Sequence, residues 1–350
     1  MYMGLVAYKL AQASSKPKMR GPAVKHGVAE ILDGPYPQSF VDFVGQETAV
    51  LQIMTSITSA AKRKESVSHI LLGSGNAGVG KTALARLTAA SINRGFVELG
   101  GSIGEKDAAA ALKVMSDGDV LFIDEVHRLV SRGKSKAEWL LTLLQDGELQ
   151  LPTGVIKAPD ITVIAATTDM EKLPRTILDR FGVQPILEPY TNPEAVKIAL
   201  ITCKRLGFGD TIPLPADTAW LLGVALACDN NPRRMGNLLM SVRDIALTTD
   251  CDNLHGDDGY DLTTALQWNG LTTDGLTRMA QDYLLALFTM AGVAGLPSIK
   301  AMLGEEQIIQ TERLLIQRGY VIVGQRGREL TDYGMERATA LATEKMEAMA

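Results

Sequence analysis

The sequence predicts an α/β protein in which a parallel-sheet phosphate-loop domain is followed by a small helical lid and a C-terminal winged-helix domain. Three observations predict it. A glycine-rich turn, Gly-Asn-Ala-Gly-Val-Gly-Lys-Thr over residues 75–82, stands between an apolar run and an alanine-rich helical pattern. Strand-like and helix-like segments alternate from residue 40 to residue 189, the pattern of a parallel sheet with helices on both faces. Beyond Asn192 the periodicity turns helical, and the chain closes with three helices and two short strands around a Gly-Gln-Arg-Gly-Arg turn.

Composition sets the outer limits. A chain of 350 residues is long enough for two or three cores, and 46% hydrophobic with 21% charged residues excludes a disordered protein. The net charge of −5 gives no bulk attraction to nucleic acid, so any DNA contact has to come from locally placed basic residues. Cys203, Cys228 and Cys251 form no Cys-x-x-Cys pair, which argues against a zinc site or a disulfide framework and for a reducing compartment. The uncharged apolar run at residues 283–296 is too short to span a bilayer and contains Gly292 and Gly295. The expectation is a soluble, cytoplasmic protein with no membrane partner.

Residues 1–34 carry Lys9, Lys16, Lys18, Arg20 and Lys25 against Glu30 and Asp33, with no sustained periodicity. They read as a basic, flexible tail: either a solvated leader or an arm for a partner. Pro35-Tyr36-Pro37 marks a boundary. The expected domains are the sheet domain at 35–189, the lid at 190–270 and the winged helix at 271–340.

After the opening Phe40-Val41-Asp42-Phe43-Val44-Gly45-Gln46, residues 47–64 show helical spacing at Val50, Ile53, Met54 and Ile57 and end in Lys62-Arg63-Lys64, as a helix dipole favours. A strand at 69–72 leads into the loop, and a helix at 83–92 follows it. The loop fits G-x-x-x-x-G-K-[ST] through Gly75, Gly80, Lys81 and Thr82, with an additional Gly78 beside Val79. Glycines permit positive φ and bring N–H groups close to phosphate oxygens, and the helix N-terminus adds partial positive charge. Lys81 then reaches the β- and γ-phosphates and the Thr82 hydroxyl holds Mg²⁺, so ATP and Mg²⁺ are the expected ligands.

A strand at 96–99 and a helix at 107–115 precede the apolar strand at 120–125, which ends in Asp124 and Glu125. At the C-terminal end of a buried strand the first acid can hold Mg²⁺ and the second can polarise water. A helix at 138–144 and a short hairpin at 148–156, turning at Pro152-Thr153-Gly154, lead to a strand at 160–166 that runs into Thr167 and Thr168. A hydroxyl there either contacts the γ-phosphate or the attacking water, or caps the next turn. Arg180, in Leu178-Asp179-Arg180-Phe181-Gly182, is either a surface ion-pair residue or a residue offered to the ATP of a neighbouring subunit.

Helices are expected at 193–206, 216–228 and 232–248. The last opens with Asn231-Pro232-Arg233-Arg234, proline in the first turn and an arginine able to face phosphate from a lid. The acidic stretch 250–261, with five aspartates, does not fit a calcium loop because Leu254 occupies a ligand position, and reads as a solvated loop. From residue 276 the order is helix, helix, helix at 307–318, then strands at 320–323 and 329–331. Arg326 and Arg328 at the wing tip are expected to contact DNA phosphates, unless the tip is an ordinary basic hairpin.

Taken in order, these motifs resemble the RuvB family of hexameric AAA+ motors that drive branch migration of Holliday junctions. The resemblance rests on Phe43-Val44-Gly45-Gln46, residues 75–82, Leu121-Phe122-Ile123-Asp124-Glu125-Val126-His127-Arg128-Leu129, Ala166-Thr167-Thr168, Asp179-Arg180-Phe181-Gly182, Asn231-Pro232-Arg233 and Arg326-Gly327-Arg328. It implies an AAA+ ATPase domain, DNA as partner and a homo-hexameric ring. It further implies Phe43 and Val44 near the adenine, Lys81 and Thr82 on phosphate and Mg²⁺, Asp124 on Mg²⁺ and Glu125 activating water. Thr168 is implied as sensor 1, Arg233 as sensor 2 and Arg180 as a finger acting in trans, with His127 structural.

The chain also departs from the family. Leu178 stands where a further arginine is common, and the hairpin before Ile161 is several residues shorter than the element that docks onto RuvA, the junction-recognising partner, which sets it apart from standard RuvA docking. The basic N-terminal extension is not part of the family pattern. The competing expectation is a clamp-loader-like or helicase-loader-like ATPase that uses ATP to load proteins on DNA. A protein-remodelling ATPase fits less well, because Gly100-Gly101-Ser102-Ile103-Gly104 offers no aromatic pore loop.

Overall fold

The computed structural model describes residues 25–26, 37–100, 103–131, 137–151, 154–210, 218–248, 260–304 and 308–347. The chain divides into two compact units, Met1–Glu188 and Pro189–Ala350. No described helix is long and apolar enough to cross a membrane.

The first unit runs β1 (Lys25–His26), α1 (Glu47–Arg63), β2 (Ile70–Ser74), α2 (Lys81–Ser91), β3 (Phe96–Gly100), α3 (Glu105–Val114), β4 (Val120–Asp124), α4 (His127–Ser131), α5 (Glu138–Asp146), β5 (Glu148–Leu151), β6 (Gly154–Lys157), β7 (Thr162–Thr167), α6 (Arg175–Leu178) and β8 (Ile186–Leu187). Its sheet has the order β1-β3-β4-β7-β2-β8. Every pairing is parallel except that of β1 with β3.

Strands β2, β4 and β7 read as continuous apolar runs because both faces of the sheet are covered. Leu71, Leu121, Ile123, Val163 and Ala165 pack with Ala108 and Leu112 of α3 and with Trp139, Leu140 and Leu143 of α5. Alternate residues point to the other face. There Phe96 and Phe122 stack with ring centroids 5.7 Å apart, and Arg86 of α2 lies 5.2 Å over the Phe96 ring. Each fully buried leucine or isoleucine contributes about 2 kcal/mol.

The ends of the elements differ from expectation in ways that matter. Helix α2 begins at Lys81, two residues early, which puts Lys81 and Thr82 on its first turn. Met54, expected on the inner face of α1, is 44% exposed, while Ile53 is fully buried. Two residues of the basic tail pair with the sheet edge, Lys25 with Val97 and His26 with Phe96. A strand of two residues carries no readable periodicity. The expected hairpin forms as β5 and β6, from Glu148 opposite Lys157 to Leu151 opposite Gly154; Pro152 and Thr153 lie outside the described residues.

The second unit contains α7 (Asn192–Arg205), α8 (Thr218–Ala227), α9 (Pro232–Thr248), α10 (Tyr260–Trp268), α11 (Arg278–Thr289), β9 (Val293–Ala294), α12 (Leu296–Leu303), α13 (Ile308–Gln317), β10 (Val321–Gly324), β11 (Gly327–Leu330) and α14 (Asp332–Glu347). Thr191 and Glu194 form a capping box at the start of α7, with a 2.8 Å bond from the Thr191 N–H. Helices α7 to α10 close the core of the helical lid around Ala199, Val224, Leu238 and Ala265. The winged helix has its own core, built from Tyr283, Leu287, Ile299, Leu315 and Val321, and a sheet of order β10-β11-β9. The apolar run at 283–296 is therefore core of α11 and β9. Helices α10 and α14 and strand β9 were not expected from the sequence; most of the acidic stretch, residues 250–259, lies outside the described residues.

Candidate nucleotide site

Strand β2 ends in Ser74, and the chain turns through residues 75–80 into α2. Gly78 and Gly80 have φ of +82° and +103°, the region where a Cβ is strained, so these two glycines are required by the backbone. Gly75 has no such φ, and a Cβ there would meet nothing within 4 Å. Gly80 caps α2 without a side-chain acceptor, which leaves the helix N-terminus with its positive partial charge turned toward the loop.

Lys81 is only 6% exposed. Its Nζ donates to Ser74 Oγ at 2.7 Å and to the Asn76 carbonyl at 3.3 Å. Among the partners of the buried ammonium are thus two neutral oxygens, one at the end of β2 and one in the loop, and a phosphate anion is the kind of group such an ammonium pairs with strongly. Val79 is buried beneath the loop and Thr82 is half-buried on the first turn.

Parallel pairing brings the ends of β4 and β7 to the same edge of the sheet as Ser74. Asp124 closes β4. Burial, then the neighbouring Glu125, raises its pKa above the ordinary carboxylate range, with Lys81 acting in the opposite direction. A divalent cation relieves such a pair of carboxylates, so the donor set of Asp124 and Thr82 fits Mg²⁺.

Glu125 takes φ of +52°, a left-handed turn that swings its side chain away from the strand. Its Oε2 accepts from Thr168 Oγ1 at 3.0 Å and lies 3.2 Å from His127 Nδ1. His127 Nδ1 is also 2.9 Å from Thr167 Oγ1, which accepts the Asp169 N–H at 3.0 Å. The residues near Thr168 therefore form a small polar cluster around the Glu125 carboxylate.

Phe43 is buried and Val44 half-buried, after a 3-10 turn at Phe40–Asp42. The next residues are tied to the end of the unit by a two-way amide contact, Gln46 Nε2 to Glu188 O at 2.7 Å and Glu188 N to Gln46 Oε1 at 3.0 Å. Arg180 is exposed and donates to Gln145 Oε1 at 2.6 Å, beside the buried anchor Phe181. Arg233 is exposed in the second unit, on the first turn of α9, where its N–H and that of Arg234 donate to Asn231 Oδ1.

The two wing arginines stand in different places. The turn is Gly324-Gln325-Arg326-Gly327, and Arg328 stands on β11 opposite Val323. The Arg328 guanidinium is bidentate on Glu312 of α13, at 3.0 and 2.9 Å, and Tyr283 OH donates to the same carboxylate at 2.9 Å. The hydrogen bond from Arg328 holds Glu312 below the ordinary carboxylate range. Arg328 is thus bound within the domain, because a residue one step beyond the turn faces the helix packed beneath it. Arg326, with 78% of its side chain exposed, is the cation at the tip.

Ser74 and Gln46 were not assigned ligand-site or positioning roles from the sequence, His127 was expected to be structural only, and Thr167 was offered a role jointly with Thr168. A serine closing an otherwise apolar strand before the glycine loop was the available signal for Ser74. At Thr167 and Thr168 the strand's period of two shows that the neighbours point opposite ways, but not which of them meets Glu125.

A buried lysine at the end of a glycine loop and a carboxylate pair at the end of another parallel strand of the same sheet, followed by a helical lid and a winged helix, define an AAA+ P-loop ATPase. Residues 36–187 match the family described as the Holliday junction DNA helicase RuvB P-loop domain, and residues 273–338 match the RuvB C-terminal winged helix domain. The chain belongs to the RuvB family. It is 32% identical over 313 residues to the Holliday junction branch migration complex subunit RuvB of Wolbachia sp. subsp. Brugia malayi, covering 86% of this chain and 92% of that protein. The protein of the same name from Pseudarthrobacter chlorophenolicus is 31% identical over 307 residues, covering 83% and 81%. The solved structure of the Thermotoga maritima RuvB Holliday junction branch migration motor aligns with a TM-score of 0.71 at 26% identity, over 87% of this chain and 98% of that one.

Proposed function

We propose that the chain is an ATP-driven DNA motor that moves the branch point of Holliday junctions as a homo-hexameric ring in the cytoplasm. The observation that supports this most is the gathering of Lys81, Asp124, Glu125 and Thr168 at one edge of a parallel sheet, in a chain that also carries a winged helix. In this reading residues 35–189 bind and hydrolyse ATP, residues 190–270 act as the lid and residues 271–340 engage DNA.

Lys81 and the N-terminus of α2 bind the phosphates, with Gly75, Gly78, Val79 and Gly80 shaping the loop. Phe43 and Val44 border the base. Thr82 and Asp124 hold Mg²⁺, which when bound neutralises charge on the phosphate oxygens. Glu125 accepts the proton of the attacking water as the bond from the γ-phosphorus to the bridging oxygen breaks, and Thr168 orients the Glu125 carboxylate. Arg233 reaches the phosphates from the lid, and Arg180 serves the site of the adjacent subunit. Arg326 contacts the DNA backbone, and Arg328 supports the wing through Glu312. The exposed hairpin of β5 and β6 is the surface for a junction-recognising partner, in a form shorter than standard RuvA docking uses.

The test is ATP turnover without DNA, with linear duplex and with a four-way junction, alongside displacement of the junction arms. Arm displacement that is lost in Glu125→Gln supports the motor. Turnover stimulated by DNA without strand movement supports a loader instead.

A further inference from the structure

A chain of charged contacts crosses from the winged helix to the lid, within the second unit and far in sequence from the phosphate loop. Its centre is Asp229, in the turn between α8 and α9. Asp229 and its neighbour Asn230 have φ of +54° and +53°, a left-handed pair that Asp and Asn adopt more readily than other side chains and that the contacts around it fix. These contacts come in three sets. Arg234, on the first turn of α9, pairs with Asp229 Oδ2. Asn230 Nδ2 donates to the Tyr190 carbonyl at 3.1 Å and to Asn192 Oδ1 at 2.8 Å. From the winged helix, Arg318 pairs with Asp229 Oδ1.

Arg318 directly follows α13 and precedes the first wing strand, β10. Its second Nη donates to the Asp274 carbonyl at 2.6 Å. The Asp274 side chain is in turn held by Arg337 of α14, through two bonds of 2.9 Å, and by Tyr320 OH at 2.9 Å. Beside this chain, Gly275 comes so close to the end of α8 that a Cβ there would lie 2.6 Å from the Ala227 carbonyl. Two independent features therefore press the segment before α11 onto the turn before α9. The side chain of Arg318 is 18% exposed, so its guanidinium pairs in a partly dry setting where removal is felt.

We propose that Arg318 is a positioning residue that transmits DNA engagement by the winged helix to the turn at Asp229, and so to the start of the helix that presents Arg233. This rests on the motor reading above. One guanidinium grips both the segment leading into the winged-helix core and the turn whose Asn231 caps α9. A displacement of α13 and the wing on DNA moves Arg318, and the turn follows. Asn231 and Arg234 keep the lid itself intact when Arg318 is absent, so the link can be cut without removing what it connects.

The experiment compares Arg318→Met and Asp229→Asn with the wild-type chain, reading ATP turnover with and without linear duplex and the hydrogen exchange of the amides at 229–235. The expected result is basal kcat and KM for ATP close to wild type in Arg318→Met, stimulation by duplex reduced about fivefold or more, and faster exchange at 229–235. Asp229→Asn, which also weakens the pair with Arg234, shows at least the same loss, and the double variant is no worse than Asp229→Asn alone, because the link between Arg318 and Asp229 is already broken in it. Unchanged exchange in Arg318→Met overturns the proposal. So do undiminished stimulation by duplex, or basal turnover and stimulated turnover that fall in equal proportion, the mark of a structural role alone. If Arg318→Met does not fold, Arg318→Lys, which keeps one charge but cannot grip both acceptors in the same way, is read by the same criteria. Wild-type turnover that ignores duplex DNA would instead reject the motor reading, while the exchange result still decides whether Arg318 holds the turn.

Discussion

Asp124 in the first unit and Asp274 in the second are both carboxylates withdrawn from water, yet their surroundings treat them in opposite ways. Burial and the adjacent Glu125 carboxylate push Asp124 above the ordinary carboxylate range, with only partial opposition from the Glu125 N–H and then from Lys81. At Asp274 burial acts in the same direction, but the Arg337 guanidinium, with Thr272 and Tyr320, outweighs it and brings the carboxyl down to about 2. One acid is left wanting a cation; the other already has one. The difference separates a site prepared for something from solution from a joint completed by the chain itself.

The largest effects are expected from removing the groups that leave the first site ready for a ligand. Glu125→Gln is expected to bind ATP but lose turnover by about 10²- to 10⁴-fold. Steady-state hydrolysis and nucleotide binding measured side by side check this; hydrolysis at the wild-type rate removes Glu125 from its role. Lys81→Ala is expected to lose nucleotide binding altogether. In a thermal melt, ATP with Mg²⁺ then raises Tm for wild type and for Glu125→Gln, but not for Lys81→Ala.

The two aspartates themselves supply the next test. Asp124→Asn is expected to abolish Mg²⁺-dependent turnover while leaving Tm unchanged or higher, because it removes a carboxylate whose charge the fold disfavours. Asp274→Asn is expected to do the reverse, lowering stability by roughly 2 kcal/mol and leaving basal turnover in place. Equal losses of stability in both variants would erase the distinction.

The smallest effect is in acid. The native pKa of Asp274 is depressed, so its contribution is fully present above the unfolded value near 4 and is lost as pH falls from there toward about 2. Asp124 contributes with the opposite sign, since the fold favours its protonated form. Arg337→Met is expected to flatten the acid side of the stability curve between about pH 4 and pH 2, as followed by denaturant melts at each pH. A curve of unchanged slope would mean that Arg337 does not set the Asp274 titration.

Much of the first site was legible in the sequence because its signals are local. The glycine loop constrains itself through φ at Gly78 and Gly80, and the run Val120–Asp124 announces a strand buried on both faces with an acid at its end. The winged-helix order was readable for the same reason, from helix periods and a glycine turn. What escaped reading was short or distant. The two-residue strand Lys25–His26 has no period, and Arg328 looked like a tip residue until Glu312, 16 positions earlier, was seen to take its guanidinium.

The local pattern of residues was enough for the longer strands and helices of the first unit, for the phosphate loop with Lys81 and Thr82, and for the pairing of Asp124 with Glu125, since each is specified by residues within a few positions of one another; it was not enough for β1, β9, α10 or α14. Tertiary structure alone decided that Thr168 and His127 share the Glu125 carboxylate, that Lys81 rests on Ser74, and that Arg318 joins Asp229 to Asp274. The physical reason is sequence separation. Hydrogen bonds and ion pairs act over about 3 Å, and only strand register and helix packing say which residues 40 or 90 positions apart come within that reach.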